Sequence, residues 1–302
     1  MDTVDDTLLR FLLPAAGIRG IAVRLGASWR TLASHGAADS ASAGLLGQAC
    51  AAAALLGGHV KIEGRISIQL RGGPITTLFA ECTAAGTLRG IVRLRENAGE
   101  LPQDLRMLGE DALLAITIEN PGLGGREPMR YQGLVQPESA SLEQVLEAYF
   151  QQSEQLPTRL HLACDADSAA GILLQQLPRG ENDVALDDDG FRRASALLDT
   201  LRAEELLNLP PREVVHRLFH EEAPQLLGEA ALRFACSCSR ERVAEVLVTL
   251  GREEAAAAVE AGGGEAAVDC EFCGQHYAFD ADEIARLFAR EVVTLPPRSS
   301  LQ

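Results

Sequence analysis

The chain has 302 residues, 47% of them hydrophobic, with 27 basic against 43 acidic side chains and a formal net charge of -16. That length and apolar content suffice for one large domain with one or two small ones, and so negative a field repels polyanions, which disfavours nucleic acid as a partner. The start, Met1-Asp2-Thr3-Val4-Asp5-Asp6, is acidic where a secretory signal is basic, and the longest apolar stretch, Ala43 to Gly58, is interrupted by Gln48 and too short for a bilayer, so a cytoplasmic protein without a membrane partner is expected.

Residues 1–180 mix helices and strands. Ala41 to Leu56 and Leu142 to Phe150 have the character of helices, the first of them buried. Period-two alternation predicts strands over Arg65 to Leu70, with Ile66, Ile68 and Leu70 on one face, over Leu78 to Cys82 and over Leu113 to Ile118. Turns at Gly72-Gly73-Pro74 and Gly86 punctuate them, which gives an α+β domain built on antiparallel sheet. The glycines match turn chemistry, since neither G-x-x-x-x-G-K-[ST] nor G-x-G-x-x-G occurs; G-x-S-x-G and H-E-x-x-H are missing too. His35, His59 and His161 have no acidic or cysteine partner nearby in sequence, so no catalytic constellation is visible and an enzyme is not expected. Cys50, Cys82 and Cys164 lie singly in apolar segments, as buried free thiols of a reducing compartment do.

Residues 181–230 form a helical linker. It opens on an acidic connector, Glu181 to Gly190, in which Asp183 and Asp187 to Asp189 favour an extended, mobile chain. Phe191, Ala194, Leu198 and Leu201 then recur at helical spacing, and Pro210-Pro211 starts another helix through Val214, Val215, Leu218 and Phe219. Each apolar face needs a surface to lie on. His216 and His220, four apart, have the spacing of a metal pair, but Arg217 and Glu221 beside them fit a solvated face better.

Residues 231–290 form a small third segment, followed by a flexible tail over 291–302. Ser239 is placed to cap a helix with Val243, Val246, Leu247 and Leu250 inward and a stop at Gly251; an alanine-rich helix follows to Ala261. Val268 to Phe279 is a predicted hairpin with Tyr277 and Phe279 on one face, and Asp280 with Glu283 opens a last helix. Four of the seven cysteines fall here in two tight pairs, Cys236-Ser237-Cys238 and Cys270-Glu271-Phe272-Cys273. Paired pairs are the signature of a metal site, and four thiolates about 2.3 Å from one ion satisfy tetrahedral zinc. One zinc per chain is expected, with His276 not needed.

A C-x-C pair holds its sulfurs on a tighter loop than the usual C-x-x-C. Each cysteine also has a resolving thiol two or three residues away, so the same four sulfurs can hold zinc when reduced and form two disulfides when oxidised. About sixty residues make a marginal core, and structural zinc in such modules is worth roughly 10–16 kcal/mol, enough to decide whether the module folds. A thiol oxidoreductase would put Cys270-x-x-Cys273 at a helix start, but Gly274 to Phe279 has the pattern of a returning strand. A zinc-dependent interaction or nucleic-acid module is the strongest alternative; six basic against eleven acidic residues from Ala231 to Arg290 disfavour it.

These pairs, with the run Cys236-Ser237-Cys238-Ser239-Arg240-Glu241-Arg242, the run Tyr149-Phe150-Gln151-Gln152-Ser153-Glu154-Gln155-Leu156-Pro157-Thr158, the middle segments Glu204-Glu205-Leu206-Leu207 and His220-Glu221-Glu222, and Cys270 to His276, resemble the 33-kilodalton redox-regulated heat-shock chaperones of bacteria. The resemblance covers nearly the whole chain. It implies an ATP-independent holdase that is inactive when reduced and zinc-bound and is switched on by oxidants combined with unfolding conditions. It also implies Cys236, Cys238, Cys270 and Cys273 as zinc ligands, Cys236–Cys238 and Cys270–Cys273 disulfides after oxidation, unfolded proteins as clients, and a homodimer on activation. Two features depart from that family's pattern: the acid-rich connector, and an Ala-Gly-rich stretch from Ala255 to Ala267 whose composition favours weak order.

Overall fold

The computed structural model describes residues 6–37, 39–59, 63–96, 100–122, 127–178, 187 and 189–291. The chain divides into two compact units, Met1–Ala235 and Cys236–Gln302.

The first unit begins β1 (Thr7–Leu13), β2 (Ile18–Leu25), α1 (Ala27–Gly36) and α2 (Ser40–His59). The strands β3 (Arg65–Gly72), β4 (Ile75–Thr83), β5 (Thr87–Leu94), β6 (Leu113–Asn120) and β7 (Met129–Val135) follow, then α3 (Leu142–Ser153), β8 (Thr158–Cys164) and β9 (Ala169–Gln176). It ends with α4 (Gly190–Leu198), α5 (Ala203–Asn208), α6 (Pro211–Phe219), β10 (Gln225–Ala231) and β11 (Arg233–Phe234). Two sheets result, ordered β10-β1-β2-β9-β8 and β11-β5-β4-β3-β6-β7; all pairings are antiparallel except β11 with β5. The strands expected from alternation lie within β3, β4 and β6, and the expected helices within α2 and α3.

Helix α2 lies between the two sheets, touching β2, β8 and β9 of one and β3, β4 and β5 of the other. From Ala49 to Leu56 no side chain is more than 2% exposed. A helix covered on every side is apolar on every side, and its alanines let both sheets approach. Ala41–His59 is long and apolar enough to cross a membrane by length and composition, but 67% of that window is buried within the fold, as in a core helix.

Helices α4–α6 cover the other face of the five-stranded sheet. Leu9, Phe11, Leu13, Ala22, Ile172 and Leu174 from the strands meet Ala194, Leu198, Leu206, Leu207, Val214, Val215 and Phe219 from the helices. The Phe11 and Phe219 rings stack with centroids 5.9 Å apart. Gly20, paired with Phe11 across the ladder, makes room for this: a Cβ there would lie 2.0 Å from the tip of the Phe11 ring.

The acidic connector expected over Glu181 to Gly190 falls mostly outside the described residues. Within it, Asp187 accepts from Arg193 at 2.7 Å and Asp189 from Arg192 at 2.6 Å. The last strands fasten the chain that leads to Cys236. β10 pairs with β1, the Phe234 N–H donates to Ser28 Oγ at 2.8 Å, and the Ala235 N–H donates to the Leu88 carbonyl at 3.0 Å. Ser28 Oγ in turn donates to the Asp6 carboxylate at 2.9 Å.

The second unit is α7 (Arg240–Leu250), α8 (Arg252–Ala261), β12 (Glu265–Asp269), β13 (His276–Asp280) and α9 (Ala281–Glu291), with β12 and β13 forming the expected hairpin. Ser239 Oγ accepts from the Arg242 N–H to cap α7, and Asp280 and Glu283 exchange bonds to open α9. The Ala-Gly-rich stretch is ordered as α8 and β12, with Ala255 fully buried and Ala266 1% exposed. The core is small: Leu247, Ala255, Val259, Ala266, Phe279, Ile284 and Phe288. Only part of the expected α7 face joins it. Leu247 is buried with Val243 against it, but Val246 and Leu250 are 56% and 60% exposed, because they form a second i,i+4 row that the core does not reach. The tail expected over 291–302 lies outside the described residues from 292 onward.

Candidate metal centre

The two cysteine pairs sit on different kinds of backbone. Cys236 and Cys238 occupy the loop between β11 and the α7 cap, where Arg242 Nη1 donates to the Ser237 carbonyl at 2.6 Å and braces the tight C-x-C turn. Cys270 and Cys273 occupy the turn between β12 and β13. There the Cys273 and Gly274 N–H groups both point to the Cys270 carbonyl, at 3.3 and 2.7 Å, and Cys270 N–H donates to the Gln275 carbonyl at 2.9 Å. Gly274 has φ +68°, the left-handed conformation that closes such a knuckle and that glycine adopts without a Cβ penalty.

The fold brings all four sulfurs within 4.8 Å of one another. Cys236 Sγ lies 3.6 Å from Cys270 Sγ, and Cys238 Sγ lies 3.4 Å from Cys273 Sγ. A tetrahedron with metal–sulfur arms of ~2.3 Å has edges of ~3.8 Å, so the sulfurs stand close to the spacing that such an ion requires. All four are free thiols, and among the described residues they form the one group of three or more side chains able to hold a metal.

The sulfurs are chemically unequal. Burial pushes the Cys236 thiol up to about 12 and raises Cys273 as well. Burial acts in the same direction on Cys238, but hydrogen bonds outweigh it, first among them one from the Tyr277 hydroxyl, and bring that thiol down to about 7. The Tyr277 Oη to Cys238 Sγ distance is 3.2 Å.

His276 turns away from the cluster and pairs through Nδ1 with Asp269 at 2.7 Å. His216 and His220 have ring centroids 5.7 Å apart on an exposed face, and no third metal-competent group joins them among the described residues. The other histidines do acquire partners through the fold: His161 meets Glu143 at 3.1 Å, and His59 Nε2 lies 2.8 Å from Arg19 Nη2 and 3.5 Å from Glu154 Oε2. Burial drives the His59 pKa below its ordinary value. Cys50, Cys82 and Cys164 are free; burial pushes Cys82 and Cys164 up to about 12 and Cys50 higher still, which makes them poor nucleophiles.

The family model described as Hsp33 protein matches residues 6–280. The chain belongs to the Hsp33 family. The 33 kDa chaperonin of Ectopseudomonas mendocina (strain ymp) is 41% identical over 288 residues, 95% of this chain and 96% of the relative. That of Azotobacter vinelandii (strain DJ / ATCC BAA-1303) is 41% identical over 286 residues, 94% and 95% of the two chains. The crystal structure of the 33 kDa chaperonin of Thermotoga maritima superposes with a TM-score of 0.76 over 96% of this chain and 99% of that one, at 22% identity, and thus shares the fold.

In this Hsp33 chain, sequence reasoning brought the four cysteines together but missed Tyr277, which it placed only on the hairpin face with Phe279. The usable signal was register: Tyr277 pairs with Val268, one turn of ladder from the knuckle. It also missed the use made of the Tyr149–Thr158 run. Glu154 and Thr158 both accept from the buried Gln175 amide, and Phe150 lies edge-on to His59.

Proposed function

We propose that this chain is a redox-regulated, ATP-independent holdase of the cytoplasm, not an enzyme, which binds unfolded or aggregation-prone proteins under oxidative stress. The observation that carries the reading is the four-sulfur cluster in a unit with few buried apolar side chains, in a chain whose relatives bear the name 33 kDa chaperonin. In the reduced, inactive state Cys236, Cys238, Cys270 and Cys273 together hold one zinc ion. Held by these four sulfurs, zinc would crosslink the C-x-C loop to the C-x-x-C knuckle and so stabilise a unit whose own core is small.

Oxidation removes that crosslink. A thiolate sulfur attacks one oxygen of hydrogen peroxide; the S–O bond forms, the O–O bond breaks, hydroxide leaves, and the sulfur is oxidised by two electrons to a sulfenic acid. A neighbouring thiol then attacks that sulfur, the S–S bond forms, and the oxygen departs as water. Resolving partners two and three residues away give Cys236–Cys238 and Cys270–Cys273. The second unit then loosens, strands β10 and β11 come away from β1 and β5, and helices α4–α6 lift from the sheet to uncover apolar surface that includes Leu9, Phe11 and Leu13. The active form is a homodimer whose clients are unfolded chains, with neither nucleic acid nor membrane as partner.

The test is peroxide treatment under mild heating. Zinc should leave, peptide mapping should find the two local disulfides, and client aggregation should become suppressed, all reversed by a dithiol reductant with zinc. An active form whose four cysteines remain reduced, or a reduced, zinc-loaded protein that protects clients equally well, sinks the reading.

A further inference from the structure

The geometry points to Tyr277 as a positioning residue of the sulfur cluster: its hydroxyl donates to Cys238, ties the C-x-C loop to the hairpin that carries the C-x-x-C knuckle, and slows attack by the Cys238 sulfur while the metal is held. The inference rests on the metal reading above and adds the control of its stability and of the order in which its sulfurs react.

The donors around the cluster differ in kind. Cys236 receives a backbone bond from Cys238, and Cys273 one from Gln275. Those amides are supplied by the turns themselves, whatever side chains the turns carry. The donor to Cys238 is a side chain on another strand, 39 residues away in sequence, at 3.2 Å. Its direction is fixed from both ends. Tyr277 is set in the β12–β13 ladder opposite Val268, half-buried against the small core, two residues before the buried Phe279. The Arg240 guanidinium lies 4.2 Å over the Phe279 ring and also holds Glu283 at 2.7 Å, which fastens the start of α7, just after Cys238, to the same strand and to α9.

Four thiolates around a divalent ion carry a net charge of two minus, and hydrogen bonds to the sulfurs spread that charge. Such partners orient ligands and typically change metal affinity about 10- to 100-fold when removed. With the metal bound all four sulfurs are thiolates whatever their acidity, and a donated O–H draws electron density from the sulfur it reaches, so that this sulfur attacks an electrophilic oxygen more slowly than it would without the bond.

The test compares the reduced full-length protein with its Tyr277→Phe variant, which keeps the ring and removes the hydroxyl. His276→Ala, altered at the neighbouring position on the same strand, controls for general disturbance of β13. Cobalt(II) serves as the spectroscopic probe, zinc as the affinity probe against a chromophoric chelator, and dimedone as the trap for sulfenic acid in the first seconds of peroxide treatment. Tyr277→Phe should bind zinc about tenfold or more weakly. Its sulfur-to-cobalt charge-transfer band should move to longer wavelength, and the share of early dimedone label on Cys238 should rise several-fold. His276→Ala should match the parent in all three. An unchanged band and an affinity within twofold of the parent overturn the role of Tyr277 while leaving the metal site standing, as does an equal shift in His276→Ala. A parent protein with no four-sulfur cobalt spectrum overturns the metal reading and this inference together.

Discussion

Replacing Phe219 by alanine should release helices α4–α6 without touching a cysteine. Phe219 is fully buried at the end of α6, stacked on Phe11, which fills the space that Gly20 leaves on β2. Removing a buried phenylalanine ring costs about 3–5 kcal/mol, because the lost transfer free energy adds to that of the cavity left behind. The gap here cannot close easily, since Phe11 rests on the backbone of β2. At about 1.4 kcal/mol per factor of ten, the ratio of docked to undocked helices should fall roughly 100- to 1000-fold or more. Helices of six to nine residues, the lengths of α4–α6, are not stable alone. Undocking therefore means unfolding of this segment. The assay has two parts, both on the reduced, zinc-loaded variant: amide exchange across residues 190–219, and suppression of aggregation of a chemically unfolded client. Fast exchange in that segment with normal protection in β3–β6 should accompany partial holdase activity without oxidant. A variant whose helices exchange freely but which protects no client would refute the claim that this face receives clients.

Three other outcomes are expected. Cys238→Ser should lose tight zinc binding while His276→Ala keeps one zinc per chain, measured by metal analysis after desalting; the reverse result would dismiss the four-sulfur set. Stability should fall as pH drops through about 6.5, because burial holds the folded His59 pKa below its unfolded value, so the unfolded chain takes up a proton first and the stabilising contribution is full only above that pH. The loss is bounded at about 1.4 kcal/mol per pH unit, and His59→Gln should flatten the dependence of the urea midpoint between pH 7.5 and 5.5; an unaltered slope would exclude His59 as its source. After chelation at neutral pH, iodoacetamide should label the four clustered cysteines, which are only half-buried, and spare Cys50 and Cys82, which are 0% and 2% exposed in the core of the first unit; labelling of Cys50 or Cys82 at a rate comparable to Cys236 would contradict their burial.

What could be read from the sequence depended on how many faces of an element meet water. β3 alternates buried and exposed along its whole length, and its pattern predicted a strand. β1, β2 and β9 are covered on both faces, so their leucines, alanines and isoleucines run without alternation and gave no period to read. β10 escaped for the opposite reason: it is exposed along nearly its whole length and is a strand only because β1, more than 200 residues earlier, offers an edge. The cysteine pairs were legible because local spacing brings each pair together and a two-residue turn needs little else. The Tyr277 bond was not, because it depends on how the hairpin register meets the returning C-x-C loop.

The same distinction locates the apolar surface that a holdase would need to keep in reserve. The outer side of the six-stranded sheet is polar along β3–β5: Arg65 pairs with Glu81 and Glu119, and Arg89 with Glu81. The five-stranded sheet has no such polar side in β1, β2 and β9. Its second apolar face is covered by three helices too short to persist alone, preceded by an acidic connector and followed by strands whose chain runs directly into Cys236. Apolar strands without alternation, under a cover of marginal helices whose chain continues into the unit with the four-sulfur cluster, are what conditional exposure requires. An element stable in its own right would not lift, and an alternating strand beneath it would have nothing to offer a client.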